Sequence, residues 1–458
     1  MSKVINKIIH NVQNTTVDKT YINFYNIIMN DVIVAVCTPM LKSALCVIRV
    51  SGEGTEKITR QLFGELEPRR VYYKKLVTEK ITDSVVAVFF RAPASFTGDD
   101  TLEITCHGNP LIANAIVEHV YKLGARPAQN GEFTRRAYIN GKTDLTGAEA
   151  IKDIIDADTE KGVNLAYSAS EGALFNKIRE IQENLRDLIA QTEVAIDYPE
   201  EELEEFTQNQ LQSKLEEIKF QCESLKKSYE SGKIIKEGVK VAIIGKPNVG
   251  KSSLLNRLVG EDTAIVTEIA GTTRDVVRGK YIHRGICFLV ADTAGLRDAE
   301  DTVEKIGVGR SKTEAEESDL VVYLRERGDD FEQFINKISV KKRVIVVKNK
   351  SDVECDEDAE INVSALTGKN IDALKDKIYE ACVKGVDAEV MLTNRRQYDC
   401  MCECESNLKN ALQNLGCITL DCISSDLELG YNALGKITGL IGSDEIIDSI
   451  FRNFCVGK

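Results

Sequence analysis

The sequence predicts a multidomain protein of mixed α/β and α+β class, in which an α/β domain is inserted into a helical domain. Short apolar runs separated by turn residues come first, and apolar residues at steps of three and four follow them. Strongly apolar strands then alternate with helical stretches, before the helical spacing returns. A chain of 458 residues also exceeds the size of a single hydrophobic core, so several domains are expected.

Residues 31–140 are predicted to form an amino-terminal α+β domain. The runs VIVAV, ALCVIRV, SVVAVFF and TLEITC have strand-like composition and are separated by turn signals. Between the second and third runs, the segment EPRRVYYKKL interleaves basic and aromatic residues. A half-exposed strand with a solvated basic face is the favoured interpretation of this segment, and contact with RNA is the alternative.

Residues 1–30 form a leader with no assigned domain. The segment is polar and rich in asparagine, and it lacks the apolar core of a signal peptide and the arginines of a transit peptide. A disordered extension and a misplaced start codon upstream of Met29 are both open interpretations.

Residues 141–237 and 384–458 are predicted to be the two halves of one helical domain. In each half, apolar residues recur at steps of three and four, which places them along one face of a helix. These residues are Leu174, Ile178, Ile181, Leu185, Leu188, Leu211, Leu215, Ile218, Cys222 and Leu225, and later Met401, Cys404, Leu408, Ala411 and Leu415. Because the α/β domain at 238–383 separates the halves only in sequence, we expect them to pack together in space.

Composition narrows the classes of function. A net charge of −13 and a pI of about 5.1 argue against a protein that coats nucleic acid nonspecifically, although a local basic patch is compatible with them. The thirteen cysteines are scattered and odd in number, which is typical of reduced thiols in a cytoplasmic protein. No run of 18 apolar residues exists, so no membrane association is expected.

A phosphate-binding motif opens the α/β domain. The segment GKPNVGKS, Gly245–Ser252, lies between the apolar strand VKVAIIG and a helix that begins SSLLNRL. Its glycines let backbone N–H groups surround phosphates, and Lys251 is expected to reach the β- and γ-phosphates. The hydroxyl of Ser252 is expected to ligate Mg²⁺.

Three further motifs follow in the order that a GTP-binding domain requires. Asp292 begins DTAG after an apolar strand, where its carboxylate can support the Mg²⁺ shell and Gly295 can donate an N–H to the γ-phosphate. In NKSD, Asp352 can accept two hydrogen bonds from guanine that adenine cannot offer. The segment SAL, Ser364–Leu366, completes the base pocket. The predicted GTP-binding residues are Asn248, Val249, Gly250, Lys251, Ser252, Ser253, Thr267, Glu268, Ile269, Ala270, Gly271, Thr272, Thr273, Asp292, Thr293, Ala294, Gly295, Asn349, Lys350, Asp352, Ser364, Ala365 and Leu366.

Two positions concern hydrolysis. Leu296 follows DTAG, where a Ras-like enzyme carries a water-positioning glutamine, so another group must orient water and another cation must neutralise transition-state charge. In TEIAGTTRD, Thr267–Asp275, Thr273 is placed to complete the Mg²⁺ shell together with Ser252.

The AGTTRD segment, taken with the blocks on both sides of it, resembles the tRNA-modification GTPase family called MnmE or TrmE. The blocks SFTGDD, LEITCHGNP and Gly124–Ile151 resemble the folate-binding domain of that family and its junction with the helices. The segment DYPEEE and the closing ITGLIGSDEIIDSIFRNFCVGK resemble its helical domain. The resemblance runs from about Asp31 to the last residue.

The resemblance implies an amino-terminal folate-binding and dimerisation domain, a discontinuous helical bundle and an inserted Ras-like P-loop GTPase domain. It implies a homodimer that works with a flavin-dependent partner, MnmG or GidA, in a heterotetramer. Together they modify the wobble uridine of certain tRNAs at carbon 5, adding a (carboxymethyl)aminomethyl-type group. The one-carbon unit comes from a tetrahydrofolate derivative, in the 5,10-methylene or 5-formyl form, and GTP hydrolysis depends on K⁺.

Site residues are carried over from the family one by one. The K⁺ ligands fall on Asn248, Thr267, Ile269 and Thr272, and the water-orienting glutamate falls on Glu304. The folate contacts fall on Arg49, Glu103, Lys142 and the terminal Lys458. Cys455, in the closing motif Cys-Val-Gly-Lys, is associated with the modification site, either as a nucleophile or in a positioning role.

One segment departs from the family pattern. The family usually carries a glycine-rich turn, TPPGxGGxGIxRISG, where this chain reads TPMLKSALCVIRVSG, Thr38–Gly52. Two alternatives to the modification enzyme are also open: a regulatory GTPase switch in ribosome assembly, and an oligomerisation scaffold that delivers a nucleotide switch.

Overall fold

The computed structural model describes residues 31–197, 208–260, 279–292, 313–326, 329, 343–383, 389–442 and 444–457. The chain divides into two compact units, one made of the segments up to Lys152 and from Thr438 onward, and the other of Asp153–Ile437. The helices named below are α1 Thr55–Phe63, α2 Pro110–Lys122, α3 Glu132–Ile139, α4 Leu145–Asp156, α5 Glu160–Ser170, α6 Ala173–Asp197, α7 Gln208–Glu237, α8 Lys251–Val259, α9 Ile371–Cys382, α10 Arg395–Asn414, α11 Leu420–Thr438 and α12 Asp444–Arg452.

A six-stranded sheet forms the centre of the first unit. Its strands are β1 Ile33–Val36, β2 Leu45–Ser51, β3 Val71–Val77, β4 Thr82–Phe90, β5 Thr101–His107 and β6 Arg126–Pro127. Their order across the sheet is β3-β4-β5-β2-β1-β6, and every neighbouring pair is antiparallel except β1 with β6. Alternate residues of β4 are buried, as expected for a strand with one face against a core. Helices α1 and α2 supply the apolar residues that cover this core.

The end of the chain belongs to the first unit. Phe451 and Phe454 are buried beside Leu145, and Tyr138 donates a hydrogen bond to the carbonyl of Gly439 at 2.6 Å. The sequence placed residues 384–458 together in the second half of the helical domain, whereas the contacts group the part from Thr438 onward with the first unit. The physical reason is the apolar face of α12, which packs on residues from α3 and α4.

The two sequence halves of the helical region pack together in the second unit, as predicted. All of the predicted apolar seam residues are buried in one shared core except Leu415, which is partly buried. The clearest contact joins α7 to α10, where the sulfur atoms of Cys222 and Cys404 lie 3.8 Å apart.

The inserted α/β segment of the second unit has a sheet of its own. Its strands are β7 Val239–Gly245, β8 Gly279–His283, β9 Ile286–Asp292, β10 Leu320–Leu324, β11 Val344–Lys348 and β12 Ile361–Asn362. The order is β12-β11-β10-β7-β9-β8, with β8 and β9 antiparallel and the other pairs parallel. Parallel strands bring their carboxyl ends to one edge, and that edge is where ligands bind in open α/β sheets. Within the described ranges, no helix has the length and hydropathy needed to span a membrane.

Candidate functional site

The loop from Gly245 to Gly250 joins β7 to α8 at the carboxyl edge of the parallel strands. Both glycines are required by their surroundings. Gly250 has φ +92°, and a Cβ there would lie 2.3 Å from the side-chain nitrogen of Asn349. A Cβ on Gly245 would lie 2.5 Å from the carbonyl oxygen of Leu324. At these two positions there is room for backbone only, and such close approach of backbone is what lets N–H groups surround phosphates.

Lys251 is the first residue of α8, and its side chain turns back over the loop. Its ammonium group donates to the carbonyl oxygens of Gly245 at 2.9 Å and Lys246 at 2.7 Å. The side chain is largely buried. Ser252 and Ser253 follow in the first turn of α8 and are exposed. A lysine held above a glycine-rich loop at a helix amino terminus supplies a positive charge where the phosphates of a nucleotide would bind.

Asn349, which directly follows β11, connects the glycine loop to the segment predicted to bind the base. Its amide nitrogen donates to the carbonyls of Val249 and Gly250, each at 3.3 Å. Its amide oxygen accepts the backbone N–H of Ala365 at 3.0 Å. The side chain is buried, so these bonds fix the distance between the two loops.

Lys350 makes a second connection between the same loops. Its ammonium group donates to the carbonyl of Asn248 at 2.8 Å, and both residues have φ near +62°. Positive φ at two residues other than glycine marks a backbone held by its surroundings, as is common at binding sites.

Asp352 is held by a hydrogen bond from the hydroxyl of Ser364 at 2.5 Å. This bond, and one from its own backbone N–H, lower the pKa of Asp352 below its ordinary value. The carboxylate therefore stays ionised at neutral pH and can only accept hydrogen bonds. That is the property needed to pair with the ring N–H and amino group of guanine. Ser364 is itself fully buried and also accepts the backbone N–H of Thr367 at 3.2 Å.

A further ion pair supports the phosphate loop and was missed by the sequence analysis. Lys246 pairs with Asp329, whose side chain is almost fully buried after β10. Asp329 also accepts the backbone N–H of Glu326 at 3.0 Å and the hydroxyl of Tyr323 at 3.4 Å. Burial by itself would raise the pKa of Asp329, but Lys246 and these donors outweigh it and lower the pKa. No motif signals this contact, because the two residues are 83 positions apart.

Several predicted residues lie outside the described part of the chain. They are Thr267, Glu268, Ile269, Ala270, Gly271, Thr272, Thr273, Thr293, Ala294, Gly295, Glu304 and Lys458. Asp292 is described at its backbone only, at the end of β9 next to Ile243 of β7. The assignments to Mg²⁺, K⁺ and the attacking water therefore stay predictions.

Arg49 and Glu103, two of the residues predicted to bind folate, face each other across β2 and β5. The Nε and Nη2 atoms of Arg49 donate to one carboxylate oxygen of Glu103 at 3.0 and 2.8 Å. The guanidinium carbon lies 4.9 Å from the ring centroid of Phe96 and 5.6 Å from that of Phe133. Among the described residues, the buried Nη1 atom of Arg49 has no hydrogen-bond partner. Arg49 thus has one N–H group left to donate, and a carboxylate and two aromatic rings lie beside it. These groups suit a flat heterocycle that has hydrogen-bonding groups along its edge.

Lys142 lies against the same loop as Phe96. Its ammonium group donates to the carbonyl of Pro93 at 3.1 Å, and its stem packs beside Gly98. The loop from Pro93 to Gly98 therefore contacts both Arg49 and Lys142, which are far apart in sequence.

The closing motif is held by contacts on both sides of the chain. The carbonyl of Cys455 accepts the backbone N–H of Gly131 at 3.3 Å, and Val456 forms a β-bridge with Asn130. The thiol of Cys37 donates to the carbonyl of Gly457 at 3.2 Å. Gly457 therefore lies beside Val36, the last residue of β1. The residue before Val36 is Ala35, which is the register partner of Arg49. The Cys455 side chain is exposed.

Known protein families match residues of both units of the chain. A family model described as "MnmE helical domain" matches residues 145–455, and one described as "GTP-binding protein TrmE N-terminus" matches residues 32–142. The tRNA modification GTPase MnmE of Clostridioides difficile is 37% identical over 458 residues, covering 94% of this chain and 100% of that protein. The protein of the same name from Thermotoga maritima is 37% identical over 453 residues, covering 93% of this chain and 100% of the relative. Among solved structures, Aquifex aeolicus Era bound to GDP and AlF₄⁻ is 31% identical over 37% of this chain and 66% of its own, with a TM-score of 0.26.

Proposed function

Because the chain belongs to the MnmE family of tRNA modification GTPases, we propose that it binds and hydrolyses GTP in the course of tRNA modification. The observation that carries this proposal is the set of bonds that joins Asn349 and Lys350 to the phosphate loop and Ser364 to Asp352. A glycine loop by itself binds many nucleotides, whereas an ionised carboxylate fixed in the base pocket selects guanine.

The proposal gives each described residue a role that its geometry supports. Asp352 accepts the two hydrogen bonds of the guanine edge, and Ser364 fixes the direction of its carboxylate. Lys251 lies within reach of the loop carbonyls and can transfer its bonds to phosphate oxygens. Ser252 would hold Mg²⁺, which supplies positive charge at the phosphates, together with Thr273.

Family membership also supports a K⁺-dependent reaction. Asn248, with φ +62° in the phosphate loop, would hold K⁺ together with Thr267, Ile269 and Thr272. The ion supplies the positive charge that an arginine finger supplies in other GTPases, and Glu304 would orient the attacking water.

We further propose the substrate chemistry of the family for this chain. The protein acts as a homodimer with an MnmG/GidA-type flavoprotein on the wobble uridine of certain tRNAs, and the added group is of the (carboxymethyl)aminomethyl type. Arg49, Glu103, Lys142 and Lys458 would bind the tetrahydrofolate derivative that supplies the one-carbon unit. The free Nη1 atom of Arg49 and the aromatic rings beside it support a pterin at this position.

The GTPase assignment is tested by the variant Asp352→Asn. An asparagine amide presents an N–H where guanine also presents one, and this pairing is repulsive, whereas xanthine presents a carbonyl there. The loss of charged hydrogen bonds, each worth about 1.5–3 kcal/mol, predicts GTP binding at least about ten-fold weaker and a gain of hydrolysis with XTP. Unchanged discrimination between GTP and XTP would refute the base pocket. The same hydrolysis assay in K⁺ and in Na⁺ tests the metal assignment.

Nucleoside analysis of tRNA from a strain that lacks this protein tests the modification. Loss of the modified wobble uridine, restored by the wild-type gene, is the expected result. If the deletion strain contained as much modified wobble uridine as the parent strain, the protein would be a GTPase without modification chemistry, such as a switch in ribosome assembly.

A further inference from the structure

A basic and aromatic strip runs along the exposed edge of the first unit's sheet. We define this edge strip as Arg69, Tyr73, Lys74 and Lys75, on and just before β3. Strand β3 pairs only with β4, so its other side is an open edge within the described sheet. Tyr73 is 76% exposed, an unusual state for an aromatic side chain of a strand.

The three cations of the strip have no acidic partner among the described residues. Arg69 donates to the carbonyl of Ala94, and the ammonium of Lys74 lies 5.6 Å from the ring of Tyr72. No hydrogen bond or ion pair engages the Lys75 side chain within the described ranges. The strip therefore carries uncompensated positive charge on a chain whose net charge is −13.

The neighbouring acidic side chains are already engaged by other cations. Glu67 pairs with Arg70 at 3.1 Å, Glu79 pairs with Lys122, and Glu118 pairs with Lys80 at 2.6 Å. Each of these pairs neutralises itself and leaves the charge of the strip unchanged. The positive potential of the strip is therefore a local property of β3 rather than part of a mixed surface.

The alternation of the strand decides how the strip is presented. Val71, Tyr73, Lys75 and Val77 point to one face and are all exposed, while Tyr72, Lys74 and Leu76 lie on the opposite face, where Leu76 is buried in the core. The ammonium of Lys74 extends over the ring of Tyr72 at the strand edge. Along this face, the neighbours of Tyr73 on the strand are therefore Val71 on one side and Lys75 on the other. An exposed aromatic ring with a lysine beside it on the same face can stack on a base while the lysine contacts an adjoining phosphate.

We propose that this edge strip binds tRNA, with Tyr73 stacking on an unpaired base and Arg69, Lys74 and Lys75 contacting its backbone. The inference rests on the proposed function, because it assigns a surface to the tRNA substrate of that function. Pairing of the open edge with a second copy of the chain is disfavoured, because charged side chains, lysine in particular, oppose strand-to-strand pairing at a sheet edge.

The test measures binding of labelled tRNA by the full-length chain across about 50 to 200 mM salt. Tyr73→Ala is expected to weaken binding about ten-fold, while Tyr73→Phe keeps the stacking ring and binds like the wild type. In Lys74→Gln/Lys75→Gln, the slope of log affinity against log salt is expected to fall by about 1.5–2, since two phosphate contacts are lost.

The matched control is the double variant Lys80→Gln/Lys122→Gln, which removes the same charge from the same unit. Its binding is expected to stay within about two-fold of the wild type, because these lysines are engaged by Glu118 and Glu79. Equal losses in the control and in Lys74→Gln/Lys75→Gln would overturn the proposal, since only net charge would matter.

Two other results would also overturn it. Binding within about two-fold of the wild type for Tyr73→Ala and for Lys74→Gln/Lys75→Gln would remove tRNA from this edge while leaving the proposed function intact. A shift of these variants to a smaller species by size-exclusion chromatography would identify the edge as a chain–chain interface. Failure of the wild type itself to bind tRNA would instead contradict the proposed function, and the edge strip with it.

Discussion

Replacing Asn349 with alanine removes three hydrogen bonds that join the phosphate loop to the base-binding segment. The lost bonds are those to the carbonyls of Val249 and Gly250, at 3.3 Å each, and that from the N–H of Ala365, at 3.0 Å. All three join one part of the protein to another. The change therefore acts on the stability of the nucleotide-free protein as well as on nucleotide binding.

The magnitude follows from the number and length of these bonds. A protein hydrogen bond contributes about 1 kcal/mol net, and the two bonds at 3.3 Å are long. The Asn349→Ala variant is therefore expected to lose about 2–3 kcal/mol of its free energy of unfolding. For a domain of this size, that loss lowers the melting temperature at which the inserted α/β segment unfolds by roughly 5–10 °C.

The assay is thermal unfolding of the full-length chain without nucleotide, followed by titration with GDP. The matched control is Asn256→Ala, the same substitution at an exposed position of α8, where alanine favours the helix by several tenths of a kcal/mol. We expect the control to unfold at the wild-type temperature or slightly above it. If Asn349→Ala unfolded within about 1 °C of the wild type, the three bonds would not stabilise the loops and the reasoning would fail.

Two further predictions concern the first unit. A Cβ on Gly457 would lie 2.6 Å from the carbonyl of Val36, and the residue has φ +98°, so Gly457→Ala is expected to displace the closing motif. The expected result is loss of tRNA modification with unchanged GTP hydrolysis. The control is Gly442→Ala, where nothing lies within 4 Å of the new Cβ. Full tRNA modification by Gly457→Ala would contradict a role of the packed closing motif. Burial raises the pKa of the Cys106 thiol to about 12, so at about pH 8 this thiol stays protonated and unreactive. Mass spectrometry after iodoacetamide treatment of the native protein should find the exposed Cys455 labelled and Cys106 unlabelled; equal labelling would show that Cys106 is not buried.

The local patterns of the sequence predict the helical core, and they assign Asp352 and Ser364 to one predicted base pocket. The seam residues of α6, α7 and α10 recur every three or four positions, and a helix turns such spacing into one buried face. The motifs NKSD and SAL predict that Asp352 and Ser364 belong to one pocket, and in the structure the hydroxyl of Ser364 donates to the carboxylate of Asp352.

Other features depended on the order of strands in the sheets. The sequence predicts a half-exposed strand with a solvated basic face for the segment that contains Tyr73 and Lys75, and the alternating burial of β3 agrees with this prediction. The structure adds that β3 is an edge strand of the described sheet. Composition indicates a strand, but it does not indicate whether a strand has one neighbour or two. The pairing of Arg49 with Glu103 likewise requires the register of β2 against β5.

The sequence by itself determined which stretches have helix or strand patterns, which family the chain resembles and which motifs are predicted to select guanine, because these properties depend on residues a few positions apart. Only the tertiary structure decided the contacts of Lys246 with Asp329 and of Cys37 with Gly457, which are separated by 83 and 420 positions. It also decided that the closing motif packs in the first unit. Such contacts are set by chain topology and by the burial of apolar faces, and a single sequence carries no periodic signal of either.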